Sequence, residues 1–372
     1  MQILYVASEG NPFCASGGLG DVIGALPKTV AQISSGDEVS VVLPLYGKMK
    51  EEYRARLVKV CDFSFKLSWR STGASAFVLE EGGVKYYFLE NHYYFNRDNL
   101  YGEADDGERF AFYSMAVCEF MLKSGLVPDV LHANDWQTAL TVIYLKTLYA
   151  SNPTLSGIRT VYTIHNIEYQ GKYDFYILGD VFALSEEDRK VVEYGDCINL
   201  MKGAIECAEA VTTVSPRYAD EIMSPEYSHG LYHILRANAS KVSGILNGID
   251  YSYYNPWTDP VLVKRYSAKR RGGKDACRSA LRADLNLVDE KGTPVIALIT
   301  RLASHKGLDI VAEAMRGILD ESGAQLVVLG KGEAKYEEFF RQLEAEYPDK
   351  VRALITYDRD LSKKIYAAAD IL

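Results

Sequence analysis

From its second residue to about residue 250 the chain alternates short apolar runs with amphipathic helical stretches, and this alternation narrows the possible folds more than any other feature. Apolar runs at 3–7, 38–43, 130–133, 159–164, 210–214 and 242–246 have the length of strands buried on both faces. Repeated strand–helix units place such strands in parallel, with helices on both sides of the sheet. An α/β architecture with a doubly wound first domain over residues 1–250 is expected. One interruption stands out: 57–69, 74–81 and 84–90 are rich in β-formers and joined by turns such as Glu81-Gly82-Gly83, which reads as an antiparallel insertion at an edge. After a tyrosine-rich loop, a helix carries Phe110, Tyr113, Val117, Phe120 and Met121 on one core-facing side.

Between residues 251 and 275 the pattern breaks. Asn255-Pro256-Trp257-Thr258-Asp259-Pro260 fits neither a central strand nor a long helix, and the stretch reads as a linker. Its basic residues, Lys264, Arg265, Lys269, Arg270, Arg271 and Lys274, read first as a solvated face and second as an anion patch. A second alternation fills 276–372, with strands at 294–299, 324–329 and 351–356 and helices near 307–321 and 333–346. At 372 residues and 48% hydrophobic, the chain has enough apolar material for two cores. A net charge of −9 argues against a nonspecific grip on nucleic acid. The six cysteines lack metal-type or redox-type spacing, so reduced thiols in a cytoplasmic protein, with no metal, are expected. Met1-Gln2 leads straight into a strand with neither a basic leader nor a long apolar segment, which points away from secretion and membranes.

Between the first strand and its helix lies Phe13-Cys14-Ala15-Ser16-Gly17-Gly18-Leu19-Gly20-Asp21-Val22. The helix is expected to carry Val22, Leu26, Val30 and Ile33 on one face. Gly17, Gly18 and Leu19 at such a turn allow close backbone approach, and free N–H groups at the helix start favour a phosphate or diphosphate. A tight turn with no ligand is the alternative. A dinucleotide site fits poorly, because Ile23 stands where the third glycine belongs and the second strand ends in Pro44-Leu45-Tyr46 without a carboxylate.

Ligands of parallel sheets gather beyond the carboxyl ends of the strands. There the chain has His132-Ala133-Asn134-Asp135-Trp136-Gln137, Thr163-Ile164-His165-Asn166-Ile167-Glu168-Tyr169-Gln170-Gly171, Thr213-Val214-Ser215-Pro216 and Leu246-Asn247-Gly248-Ile249-Asp250. Taken singly, these have ordinary readings: Ser215-Pro216 is a good helix start and Trp136 a plausible core residue. Together their hydrogen-bonding groups and rings suit a sugar. In the second domain Arg301 follows a strand and Lys306 precedes a helix, so both cations can meet one anion at that helix start. Gly330, in Leu329-Gly330-Lys331-Gly332, marks another turn open to close approach.

With these motifs assembled, the whole chain resembles the bacterial glycogen synthases and plant starch synthases, glycosyltransferases of the GT-B class. The resemblance rests on Gly-Gly-Leu-x-Asp-Val at 17–22, His-Ala-x-Asp-Trp at 132–136, Thr-x-His-Asn at 163–166, Tyr-Gln-Gly at 169–171, Thr-Thr-Val-Ser at 212–215, Asn-Gly-Ile-Asp at 247–250 and Arg-Leu-x-x-x-Lys-Gly at 301–307. It implies two Rossmann-type domains facing a cleft and retaining transfer of glucose from ADP-glucose to an α-1,4-glucan, without cofactor, nucleic acid or membrane. It further implies that Asp21, Asp135, His165 and Asn166 surround the glucosyl unit and acceptor. Arg301 and Lys306 would hold the diphosphate, Gly17, Gly18, Leu19, Asn247 and Gly330 would contribute to the donor site, and Tyr94, Tyr169 and Gln170 would line the glucan path. A related GT-B transferase with another acceptor, such as a sucrose-forming one, and a non-catalytic glucan-binding module are the competing readings. Two departures from the family pattern appear. Ala15 stands where a lysine is frequent, and the second domain stops at Leu372 where a further strand is beginning. The second departure makes that domain incomplete and leads to the expectation of a folded first domain in a catalytically silent chain.

Overall fold

Apolar side chains alternate between two cores along the first strand, Leu4 and Val6 joining one and Tyr5 and Ala7 the other. A strand with no polar face must be covered on both sides, as a doubly wound sheet requires. The structure, a computed structural model, describes every residue except Ser35, Lys291 and Tyr357. It divides into two units, Met1–Gly248 and Ile249–Leu372.

The strands of the first unit are β1 (Gln2–Val6), β2 (Glu38–Pro44), β3 (Val58–Leu67), β4 (Arg70–Glu81), β5 (Val84–Glu90), β6 (Val130–Asn134), β7 (Arg159–Ile164), β8 (Lys172–Tyr173), β9 (Glu193–Tyr194), β10 (Cys197–Asn199), β11 (Ala210–Thr213) and β12 (Val242–Gly244). Among the described residues, nine form one sheet in the order β12-β11-β7-β6-β1-β2-β5-β4-β3. The sheet grows outward in both directions from β1, so the order reverses between β1 and β6. The expected insertion is only partly antiparallel: β5 pairs with β2 in parallel, β4 is antiparallel to both of its neighbours, and β3 forms the edge. The β8-β10-β9 sheet has strands of two or three residues, too short to leave a periodic signal in the sequence. At the opposite edge β12 ends at Gly244, earlier than expected, and Ile245 and Leu246 are exposed.

Helix α1 (Gly18–Ile33) forms where expected, but its inner face differs. Leu19, Ile23 and Pro27 are buried, Val30 packs partly against the core, and Leu26 and Ile33 are exposed. Small residues explain the rotation, because Gly20 and Gly24 bring the helix backbone onto the loop before it. A Cβ on Gly20 would lie 2.3 Å from Ala15 Cβ, and one on Gly24 would lie 2.9 Å from both Asn11 Cβ and Asn11 O. Counting apolar side chains alone therefore picks the wrong face. The helix Asp106–Ser124 is buried beyond the expected stripe, because Phe65, Leu67, Ala74 and Ala76 of the β3–β4 ribbon join its core.

In the second unit, β13 (Val295–Ile299), β14 (Gln325–Leu329) and β15 (Val351–Leu354) form a parallel sheet in that order, and Ile371 bridges to Ile296. Helices Leu308–Ser322 and Ala334–Glu346 supply Leu308, Met315, Leu319, Phe340 and Leu343 to one core. Cys277-containing helix Gly272–Asp284 begins inside the expected linker. Lys264, Arg265, Lys269, Arg270 and Arg271 are exposed, as a solvated face requires.

The close approach at Gly24 makes a test of this packing. Gly24→Ala should cost about 1–3 kcal/mol through overpacking against Asn11, seen as a lower melting temperature. Gly18→Ala, whose Cβ meets nothing within 4 Å, should leave the melting temperature unchanged. Equal melting for the Gly24 variant and the parent would contradict the packing.

Candidate active site

At the reversal of strand order, the loops after β1, β6 and β7 carry the polar groups. Asp135 is the N-cap of helix Trp136–Lys146, yet its side chain makes no cap bond. Its Oδ1 accepts instead from the N–H groups of His165 at 2.7 Å and Asn166 at 3.4 Å, tying the β6 loop to the β7 loop. The backbone there has φ 57° and ψ 177°, a region costly for any residue with a side chain. The Asp135 N–H donates to Thr163 O at 2.9 Å, and Asp135 O accepts from the Thr138 N–H at 3.1 Å, so bonds on both sides hold the strained residue. Burial pushes its carboxyl up to about 7, partly opposed by the His165 and Asn166 N–H groups.

The same neighbours set the state of His165. Asn134 Nδ2 donates to Val6 O and His132 O, both at 3.1 Å, which turns Asn134 Oδ1 toward His165 Nε2 at 3.0 Å. An oxygen at that distance requires Nε2 to carry the proton, so Nδ1 of the neutral ring is an acceptor. Burial lowers the His165 pKa to about 4 and keeps the ring neutral near pH 7. His132, beneath it, bonds to Thr163 Oγ1, and burial lowers its pKa to about 3. The Asn166 side chain closes a local turn by accepting from the Glu168 N–H at 2.9 Å, leaving its amide N–H₂ to donate.

The glycine turn follows β1. Gly17 and Gly18 are exposed, and a Cβ on Gly18 would meet nothing within 4 Å, so this backbone is open to a ligand. The Leu19 side chain belongs to the core, leaving only its N–H to serve the site. Asp21 is exposed in the first turn of α1 and accepts from Asn11 Nδ2 at 2.6 Å. Not every N–H of the turn is free, as the sequence suggested. The buried carboxylate of Glu9 accepts from the Ser16 N–H at 2.6 Å, Ser16 Oγ at 2.7 Å and the Gly20 N–H at 3.0 Å. Sequence reasoning overlooked Glu9, although a carboxylate just past a strand end is the signal used elsewhere.

Several expected site residues prove structural. Tyr94 is 6% exposed, its ring tilted against that of Phe112 and its hydroxyl bonded to Glu108 at 2.6 Å, whereas its neighbour Tyr93 is 68% exposed. Tyr94 therefore packs the core instead of offering its ring to a glucan. Gln170 is buried too: Nε2 donates to Ile167 O and His229 O, and Oε1 accepts from Asn199. Its amide braces the loop, with both N–H donors engaged within the protein. Tyr169 beside it is exposed. Gly171 has φ +65°, and its Cβ would lie 2.7 Å from Trp136 Cε3, so the Tyr-Gln-Gly and Asp-Trp motifs are packing partners. Ser215 caps its helix by accepting from the Tyr218 N–H at 2.9 Å. Asn247 is exposed near the end of the first unit.

In the second unit, Arg301 follows β13 and Lys306 closes a short 3-10 turn before helix Leu308–Ser322. Both are exposed, and among the described residues neither enters an ion pair, so each positive charge is available to an anion. Gly330 is packed, not open. A Cβ there would lie 1.9 Å from Thr300 O, which makes the close approach one between neighbouring strand ends and not one to a ligand. Among the described residues, no helix is long and apolar enough to cross a membrane.

Comparison with known proteins gives the family. Residues 2–237 match the starch synthase catalytic domain family and residues 283–372 the glycosyl transferases group 1 family. Over the whole chain, identity is 44% to a glycogen synthase of Ligilactobacillus salivarius and 42% to one of Streptococcus agalactiae, in each case across 78% of the relative's length. The catalytic domain of starch synthase IV from Arabidopsis thaliana, solved bound to ADP and acarbose, superposes with a TM-score of 0.92 at 34% identity, over 99% of this chain and 76% of that one. With that fold, those motifs and relatives named for one activity, the chain belongs to the glycogen and starch synthase family of hexosyltransferases, of the GT-B class.

Proposed function

We propose, in place of the silent chain expected from the sequence, that the chain elongates an α-1,4-glucan in the cytoplasm by moving glucose from ADP-glucose to a terminal hydroxyl, with retention of configuration. The bond from the anomeric carbon to the diphosphate oxygen breaks, a bond to the glucan oxygen forms, and the hydroxyl proton departs with ADP or to water. The observation that carries the reading is the Asp135–His165 pair at the reversal of strand order. A strained residue held by bonds on both sides is the kind of outlier from which function is inferred. A neutral histidine with an acceptor Nδ1 and a carboxylate beside it suit sugar hydroxyls, and Asn166 Nδ2 adds a donor. The nucleotide follows from the family and from the ADP held by the Arabidopsis domain. Asp21 and Tyr169 are assigned to the acceptor side, and Gly17, Gly18 and the Leu19 N–H to the donor side. Asn247, at the end of the first unit, is also assigned to the donor.

Charge building on the leaving diphosphate would be met by Arg301 and Lys306, protein cations instead of a resident metal. Arg301→Ala and Lys306→Ala should each lower kcat by about 10²–10³ while leaving glucan affinity unchanged. Incorporation of labelled glucose from ADP-glucose into glycogen measures the first effect, and glucan titration the second. Absence of incorporation by the parent chain would overturn the functional reading, and variants as active as the parent would overturn the cation assignment.

Asp135 supplies a pH test. Its carboxyl titrates near 7 in the folded chain, against about 3.9 in an unfolded one. Folding therefore favours its protonated form, and its stabilising contribution, full below about 4, is lost as pH rises through about 7. The carboxylate is the form assigned to the sugar, so kcat/KM should rise with pH through about 7. Asp135→Asn should lower activity and flatten that limb. A variant that kept the parent's limb would remove Asp135 from the site.

A further inference from the structure

Glu9 is 3% exposed, and among the described residues it has no ion-pair partner that would explain its burial. Ala15, in the middle of the turn, offers none. A carboxylate taken out of water is costly unless its oxygens are bonded, and here the bonds come from the turn itself. Oε2 takes both the N–H and the hydroxyl of Ser16, and Oε1 takes the Gly20 N–H at the third helical position of α1. The positive end of that helix adds to the hold. A Cβ on Gly17 or Gly20 would lie 3.8 or 3.5 Å from Oε1, so the carboxylate sits within the curve of the turn.

This arrangement divides the donors at the helix start. The Ser16 N–H is committed to Glu9 and the Gly20 N–H is shared between Glu9 at 3.0 Å and Gly17 O at 3.1 Å, while the N–H groups of Gly17, Gly18 and Leu19 have no acceptor among the described residues. Two glycines in sequence would otherwise let this segment sample many backbone conformations. Bonds at residues 16 and 20 fix both ends of the three residues between them. Glu9 itself is fixed from behind, because Ser8 is bonded through Oγ to Tyr101 at 2.9 Å and through its carbonyl to Tyr46 at 2.8 Å.

We propose that Glu9 is a positioning residue of the donor site, whose carboxylate clamps Ser16 and Gly20 so that the Gly17–Leu19 N–H groups are preset for the diphosphate of the nucleotide sugar. The inference rests on assigning the glycine turn to the donor. Only a group with two acceptor oxygens serves both ends of the clamp. In Glu9→Gln one oxygen becomes an amide N–H₂ group, which faces the backbone N–H of either Ser16 or Gly20 donor to donor and releases that end. Glu9→Asp keeps both acceptors on a shorter stem and should recover part of the loss.

The test is equilibrium titration of the full chain with ADP-glucose and, separately, with a maltooligosaccharide, accompanied by thermal melting. Glu9→Gln should bind ADP-glucose at least about tenfold more weakly, equivalent to about 1.4 kcal/mol, with maltooligosaccharide affinity unchanged and Glu9→Asp in between. Donor affinity equal to the parent's in Glu9→Gln would overturn the inference alone. A parallel loss of both affinities with a lowered melting temperature would also overturn it, by reducing Glu9 to a structural prop. Failure of the parent to bind ADP-glucose would overturn the donor assignment and the clamp with it.

Discussion

Three tyrosine hydroxyls hold the carboxyl end of β1, and the geometry of the first unit's site depends on them. Tyr46 donates to Ser8 O, Tyr101 bonds to Ser8 Oγ, and the Tyr113 hydroxyl lies 2.8 Å from Ala7 O and 2.7 Å from Val42 O, sharing its proton between them. Main-chain groups at the end of a buried strand need partners out of reach of water. Burial pushes all three phenols well above their ordinary range, so they remain protonated donors. The loop bearing Tyr101 is itself pinned by Arg109. That fully buried guanidinium pairs with Asp106 at 2.5 Å and donates to Tyr94 O and Leu100 O. A chain of bonds thus runs from Arg109 through the loop to Ser8, Glu9 and the glycine turn, and the tyrosine-rich segment supports the site from within.

How much of this was legible depended on the kind of signal. Strands buried on both faces announce themselves as apolar runs, so the parallel sheet and both of its cores could be anticipated. The inner face of α1 could not, because backbone contacts at Gly20 and Gly24 set it and glycine is silent in an apolar count. Position after a strand located Asp135, His165, Arg301 and Lys306, but it gave no sign of whether a side chain points outward. Tyr93 and Tyr94 are adjacent and chemically identical, yet one is surface and the other core. Gln170 looked available because two of its three partners, Asn199 and His229, come from distant parts of the chain.

Burial shapes the electrostatics of the polar groups after β6 and β7 in a consistent direction. It disfavours charge on Asp135, His165 and His132 alike, moving the acid up and the imidazoles down. Near pH 7 the histidines are neutral, and only Asp135 is poised between forms. Hydrogen-bond direction, instead of charge, then distinguishes the groups: Asn134 fixes the His165 tautomer, and the His165 and Asn166 N–H groups favour ionised Asp135. A polyhydroxyl ligand, which offers donors and acceptors but no charge, matches such a set better than an ion does.

The two glycine turns show why sequence likeness between the units does not carry a shared role. Gly17 and Gly18 are exposed, with open space where a side chain would begin on Gly18. In the second unit a Cβ on Gly330 would lie 1.9 Å from Thr300 O, and one on Gly332 would lie 2.0 Å from Leu302 O, where Leu302 and Gly332 form a bridge. Those glycines let two strand ends run side by side, and any larger residue would part them. The backbone of the first turn is therefore free to meet a ligand, while that of the second is engaged with its neighbour. What the second unit offers an anion is therefore side-chain charge: Arg301 and Lys306 are exposed and, among the described residues, without ion-pair partners.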